Sequence, residues 1–253
     1  MTHLYFGCDK IFGNRKGYFK TLSALEVTET FEDTVTNKRL ANWRTESPKG
    51  FAFVMTAHRG VTHPAGREGA PALLDGHDLD TIGLLQRTDA VRAAWDRTLE
   101  MAGLLSPKLI LVRTPLDFSP SQQNRDNLQW FAEELAPMAG KAMVAWEPHG
   151  LWEIEEAVPM ARQLGLVPVY DPFSDEDLPQ GRGTACFAIY SRRGMRATFN
   201  EFDMEDLLAQ CDPYQRAIVI FRGQRRYRDA RMALTANKAR VAMDAQYDGE
   251  DED

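Results

Sequence analysis

The sequence predicts an α/β fold: a single-domain TIM-like (β/α) barrel, irregular in places, with about eight parallel strands. Three observations predict it. First, eight short apolar runs recur along the chain, mostly separated by stretches of helical spacing. Such alternation implies parallel pairing, and eight units favour a closed ring. An open doubly wound sheet is the alternative. Second, the chain has 253 residues, 43% of them hydrophobic, enough for one large core and a usual length for a one-domain α/β barrel. Third, several apolar runs stop at a charged side chain, and the carboxyl ends of barrel strands are where functional groups gather.

The elements follow in order. Leu4 to Cys8 is a short apolar strand ending at Asp9-Lys10, and Ile11 to Phe19 reads as a loop with glycine and aromatic residues. Ala24 to Thr28 has strand composition. Val35 to Thr45 reads as a helix carrying Leu40 and Trp43, closed by Pro48 and Gly50. Phe51 to Met55 is a third strand, followed by His58 and His63. Residues 65–80 are rich in Gly, Pro and Asp and form a long loop. Thr88 to Ala102 places Val91, Ala94, Trp95 and Leu99 on one helical face. Leu109 to Val112 is the fourth strand, closing on Arg113. Asn127 to Leu135 is a helix with Leu128, Phe131 and Leu135 aligned.

Met143 to Trp146 is the fifth strand, and it ends at Glu147, two residues before His149. A carboxylate there is costly to dehydrate unless it is paired or used. Trp152 to Leu164 is a helix with acids near its start, where the helix dipole favours them, and Gly165 is placed to cap it. Leu166 to Tyr170 is the sixth strand, ending at Asp171-Pro172. Cys186 to Tyr190 is the seventh, followed by Ser191-Arg192-Arg193. Met204 to Gln210 is a short helix, and Ala217 to Phe221 is the eighth strand, ending at Arg222. A last helix runs from Tyr227 to Met243.

The formal net charge is -7, but six acids lie among residues 244–253. Without them 31 acidic residues face 30 basic ones, so the body, residues 1–243, is close to neutral and 244–253 reads as an acidic disordered tail. A neutral body argues against general nucleic-acid binding. Cys8, Cys186 and Cys211 are far apart with no CxxC spacing, which favours reduced thiols. With no leader, and no apolar run near the roughly 20 residues that span a bilayer, the expectation is a soluble cytoplasmic protein without a membrane partner.

In a barrel, the strand-end groups share one mouth. Glu147, with Asp171 and His149, is the candidate catalytic set. Each has a plainer reading: Glu147 locked to Arg113, Asp171 forming a turn before Pro172, His149 and His63 as ordinary loop residues. Arg113, Arg192, Arg193 and Arg222 could grip a phosphate or carboxylate, or pair with Glu147 and Asp171. Two His and two carboxylates could hold a metal, but there is no HExxH, so the spacing assigns no metal ligand and no cofactor. The run from Arg222 to Arg231 suits a nucleic-acid patch or, more simply, a solvated helix face. Gly181-Arg182-Gly183 precedes a strand, which is the wrong place for dinucleotide binding, and there is no GxSxG elbow.

Leu25-Glu26-Val27-Thr28-Glu29-Thr30-Phe31, Phe51-Ala52-Phe53 with Thr62-His63, Leu111-Val112-Arg113-Thr114-Pro115 with Phe118, and Val144-Ala145-Trp146-Glu147 with Trp152 follow one another in an order that resembles the YecE family. That family has a TIM-barrel-like fold and no established activity. Thr28, Glu32, Arg113 and Arg222 stand where its Asn, Tyr, Gln and Asn would be. Glu26, His63, Pro115, Glu147 and Asp171 keep its pattern, which adds Glu26 and His63 to the substrate-binding set with Arg113, Arg192, Arg193 and Arg222. The resemblance implies a divergent member with an altered pocket, related to sugar isomerases by fold analogy alone. The expected function is an enzyme acting on a small anionic or polyhydroxyl substrate, a sugar or phosphate ester. The alternative is a non-catalytic protein that binds a ligand or nucleic acid through its arginines.

Overall fold

The computed structural model describes residues 2–66, 69–173, 181–190 and 198–250, with residues 244–250 described by backbone alone. Among these residues eight strands are present: β1 (His3–Cys8), β2 (Ala24–Val27), β3 (Ala52–Thr56), β4 (Leu109–Arg113), β5 (Met143–Glu147), β6 (Val167–Tyr170), β7 (Thr184–Ile189) and β8 (Arg216–Phe221). Their order in the sheet is their order in the chain. The sheet closes into a parallel barrel, with β8 beside β1. The predicted fold class is therefore the one observed, and the open sheet is excluded. The α-helices among the described residues are α1 (Arg15–Thr21), α2 (Asn37–Glu46), α3 (Arg59–Thr62), α4 (Asp89–Leu105), α5 (Gln122–Trp130), α6 (Ile154–Gln163), α7 (Glu201–Cys211) and α8 (Arg226–Glu250), and most strands are followed by one. Among the described residues no helix is long and apolar enough to cross a membrane.

The chain forms two compact units. One is Glu26–Tyr170; the other joins the segment up to Leu25 with the segment from Asp171 onward. In the central unit, β3 and β5 flank β4 in parallel register, and Arg113 lies opposite Glu147. These strands are buried almost throughout, as strands covered on both faces must be. Trp95 of α4 shows how a polar atom enters this core. Its ring meets Phe131 edge-on at 5.0 Å, and its indole N–H donates to the Leu135 carbonyl at 2.8 Å. Helix α6 ends as its glycine predicts. Gly165 has φ +72°, its N–H donates to Arg162 O, and Leu166 N–H donates to Ala161 O, the paired bonds of a Schellman cap.

In the unit made of the chain ends, β8 runs between β1 and β7 with continuous parallel register. Tyr18 of α1 ties β1 to β2: its hydroxyl accepts from Cys8 N–H and donates to Ala24 O, both at 2.9 Å. Asn200 and Asp203 close a reciprocal capping box at the start of α7. The three cysteines are buried free thiols. Burial pushes Cys8 and Cys211 up to about 12, so neither is a ready nucleophile.

Some elements differ from the sequence reading. Helix α1 falls in the expected loop. It holds Gly17 and buries only Tyr18 and Phe19, too little periodicity to register. Helix α3 is a single turn. The helix expected from Asn127 starts at Gln122, where Ser121 accepts from Asn124 N–H, and its second half, Phe131–Leu135, is π-helical. Helix α8 continues to Glu250, through residues assigned by composition to the tail. Residues 251–253 lie outside the described residues.

Candidate active site

The central unit assembles a polar chain from the ends of neighbouring strands. Glu26 lies near the end of β2, Thr56 ends β3, Arg113 ends β4 and Glu147 ends β5. Arg113 joins the two acids: its Nε donates to Glu147 Oε2 at 2.9 Å, and an Nη2 hydrogen goes to Glu26 Oε1 at 3.0 Å. Thr56 Oγ1 donates to the same Glu26 oxygen at 3.4 Å. The side chains of Glu26 and Glu147 are 0% and 5% exposed, and that of Arg113 is 26%. Two carboxylates at this depth need a shared cation, because dehydrating each alone costs several kcal/mol. Sequence reasoning offered two readings of Glu147, and the pairing with Arg113 is present.

The chain of contacts continues outward. His149 Nε2 lies 3.3 Å from Glu147 Oε1, and the imidazole is 33% exposed. One residue therefore links the buried acid to the surface. The turn that carries His149 is fixed by Gly150, which has φ +80° and packs so closely that a Cβ would sit 2.4 Å from Leu116 O. Behind the turn, Trp152 meets Trp146 edge-on at 5.0 Å and donates to Phe118 O at 2.6 Å. Trp146 donates to Thr114 Oγ1 at 3.2 Å, and Thr114 N–H donates to Glu147 O at 3.1 Å. The aromatic pair thus sets the backbone on which Glu147 stands.

His63 follows α3. Its Nδ1 shares a hydrogen with Thr62 Oγ1 at 2.8 Å, and its ring meets Phe31 edge-on at 4.8 Å. Burial first, then the positive charges of Arg59, Arg113 and His149, hold its pKa down at about 4. It is therefore neutral near pH 7, and it feels the same charges as the Glu147 cluster. His58, whose Nδ1 accepts from Gly60 N–H at 3.1 Å, is also held below its usual value by burial. It caps α3 and is structural.

The remaining predicted residues belong to the other unit. Asp171 Oδ1 accepts from Phe173 N–H at 3.0 Å and Oδ2 from Tyr190 N–H at 3.4 Å, which fits the turn-forming reading. Arg222 is buried, and it donates from Nη1 to the Tyr190 hydroxyl at 2.8 Å. Arg192 and Arg193 lie outside the described residues. Asp9 pairs with Arg226, a contact the sequence did not signal because 217 positions separate them. Among the described residues no group of three or more His, Cys, Asp or Glu side chains is arranged to hold a metal ion.

A family model described as protein of unknown function DUF72 matches residues 14–190. Comparison with curated proteins gives no match. A DUF72 family protein from Enterococcus faecalis superposes with a TM-score of 0.68 at 14% identity, covering 94% of this chain and 98% of that one. A DUF72 family protein from Thermotoga maritima gives 0.62 at 15% identity, covering 93% and 99%. The D-psicose 3-epimerase of Clostridium cellulolyticum, solved with D-tagatose, gives 0.57 at 12% identity, covering 94% and 97%. At these identities the likeness is one of fold.

Proposed function

The chain belongs to the DUF72 family of proteins of unknown function, and from that premise we propose that it is an enzyme acting on a small polyhydroxyl or anionic substrate, with Glu147 and His149 as its acid–base pair. The observation that carries this reading is the contact between a buried carboxylate and a partly exposed imidazole, Glu147 to His149 at 3.3 Å. A carboxylate that orients an imidazole is the common arrangement for moving a proton near neutral pH. Arg113 offsets the charge of Glu147 and Glu26, and neutral His63 offers a hydrogen-bonding group to a hydroxyl. A barrel neighbour of the same fold is a sugar epimerase solved with a ketose, which supports a sugar-sized substrate by fold analogy alone.

A thermal-shift screen of sugars and sugar phosphates, run on the wild type beside Glu147→Gln, tests the site. The expected result is a ligand that raises the wild-type midpoint and leaves the variant unmoved. Equal stabilisation of both proteins would place the binding site away from Glu147. The chemistry has its own readout. In D2O, proton abstraction beside a carbonyl exchanges a carbon-bound hydrogen of the sugar, visible by NMR with wild type and absent with Glu147→Gln.

One observation favours a second reading, binding without chemistry: Arg113 already spans two carboxylates. Stabilisation by a sugar with no deuterium exchange would select it.

A further inference from the structure

The unit made of the chain ends carries a cavity of about 950 Å³ that the Glu147 cluster does not use. It lies between the loop after β1 and the first turns of α8. Its wall is cationic: Lys10, Arg225, Arg226, Arg228 and Arg231 line it, and among the described residues no acidic side chain does. Arg226 is held by Asp9. Lys10, Arg225, Arg228 and Arg231 are exposed, and among the described residues none of them forms a salt bridge. Burial raises the pKa of Asp229, and Arg225 and Arg228 pull it back, so these two guanidiniums stand at the base of α8.

The cavity also holds a stacked aromatic pair. Phe12 and Tyr227 lie 4.9 Å apart with ring planes 16° from parallel. The guanidinium of Arg231 stands over Tyr227 at 5.9 Å. Phe12 is 65% exposed even though it stacks on Tyr227. An exposed ring held flat and surrounded by cations is an expensive surface to keep in water unless something covers it.

We propose that this cavity binds a nucleotide-sized ligand, with its heteroaromatic ring stacked on Phe12 and its phosphate held by Arg225, Arg228 and Arg231. The volume is that of a small-molecule site. Guanidiniums suit phosphate because they offer paired donors in a plane. Aromatic stacking contributes comparably for every base, so the site selects a class and not one base. A single nucleotide fits better than a long strand for two reasons. Among the described residues the cavity presents one exposed stacking ring, Phe12, and the chain carries a net charge of -7 that opposes a polyanion.

The test is calorimetric titration of the full chain with AMP, adenosine, inorganic phosphate and oligothymidylate, in wild type, Phe12→Ala and Arg228→Glu/Arg231→Glu. Phe12 is exposed, so its removal leaves the fold intact, and circular dichroism checks both variants. AMP is expected to bind about tenfold or more tightly than adenosine or phosphate alone. Phe12→Ala should weaken AMP by about tenfold while leaving phosphate unchanged. The double arginine variant should lose both. Three results would overturn the proposal: no binding of AMP, equal AMP affinity in Phe12→Ala, or binding of oligothymidylate in preference to AMP, which would make the surface a strand-binding groove.

Discussion

Individual side chains in the central unit are set by what their burial requires. Glu26 and Glu147 are tolerated because one guanidinium lies between them. His63 is the reverse case, an imidazole kept neutral by burial and by nearby cations. That has a consequence for stability. Its pKa is about 4 in the folded protein, against about 6.5 in an unfolded chain. Above pH 6.5 the residue is neutral in both states and adds no pH dependence. As pH falls from 6.5 toward 4, the unfolded chain takes the proton first, so stability is lost across that window and levels off below it. The ring is partly exposed, so the loss stays below the full linkage value, at about 1–2 kcal/mol. Urea unfolding at pH 7 and pH 4.5 should show His63→Gln losing less stability than wild type on acidification. Parallel losses would mean that His63 is not held neutral. His58, also held low, keeps part of the dependence in both proteins.

At the scale of elements, what was legible in the sequence was what short-range pattern encodes. The run of residues 143–146 stopped at a carboxylate, so Glu147 stood out. Arg113 stood out for the same reason at the end of β4. Glu26 did not, because it lies inside an apolar stretch and only the family resemblance pointed to it. Nor could spacing show that Arg113 would choose Glu26 as its second partner, since 87 positions separate them. Helices α1 and α3 were missed because each is short and gains its order from tertiary contacts. The loop of His149 shows how such contacts act. Gly150 and Gly165 both have positive φ, +80° and +72°. A side chain at Gly165 meets open space, whereas one at Gly150 meets the Leu116 backbone at 2.4 Å. Gly165→Ala should therefore cost about 1 kcal/mol, the price of the left-handed backbone alone. Gly150→Ala should cost more than about 2 kcal/mol and displace His149, so the Glu147-dependent ligand shift is lost in that variant and kept in Gly165→Ala. Equal effects of the two substitutions would show that the close approach to Leu116 does not hold the turn.

For the molecule as a whole, charge and burial point to different parts of the last helix. The inner face of α8 buries Ala230 and Ala233, and from residue 234 to Met243 no side chain is buried. The described side chains of α8 are thus buried no further than Ala233, and truncation tolerance follows from burial. Deleting residues 244–253 should shift the melting midpoint by no more than about 2 °C, the size of an ordinary surface change in a chain of this length. It changes the field far more, taking the formal charge from -7 to -1 by removing six acids. An anion approaching the cationic cavity then meets less long-range repulsion. At ~10 mM salt, where screening extends about 30 Å, AMP affinity should rise by about two- to fivefold on deletion. At ~1 M salt, where it extends about 3 Å, truncated and full chains should bind alike. A gain that persists unchanged at high salt would show that residues 244–253 act by contact with the site and not through their charge.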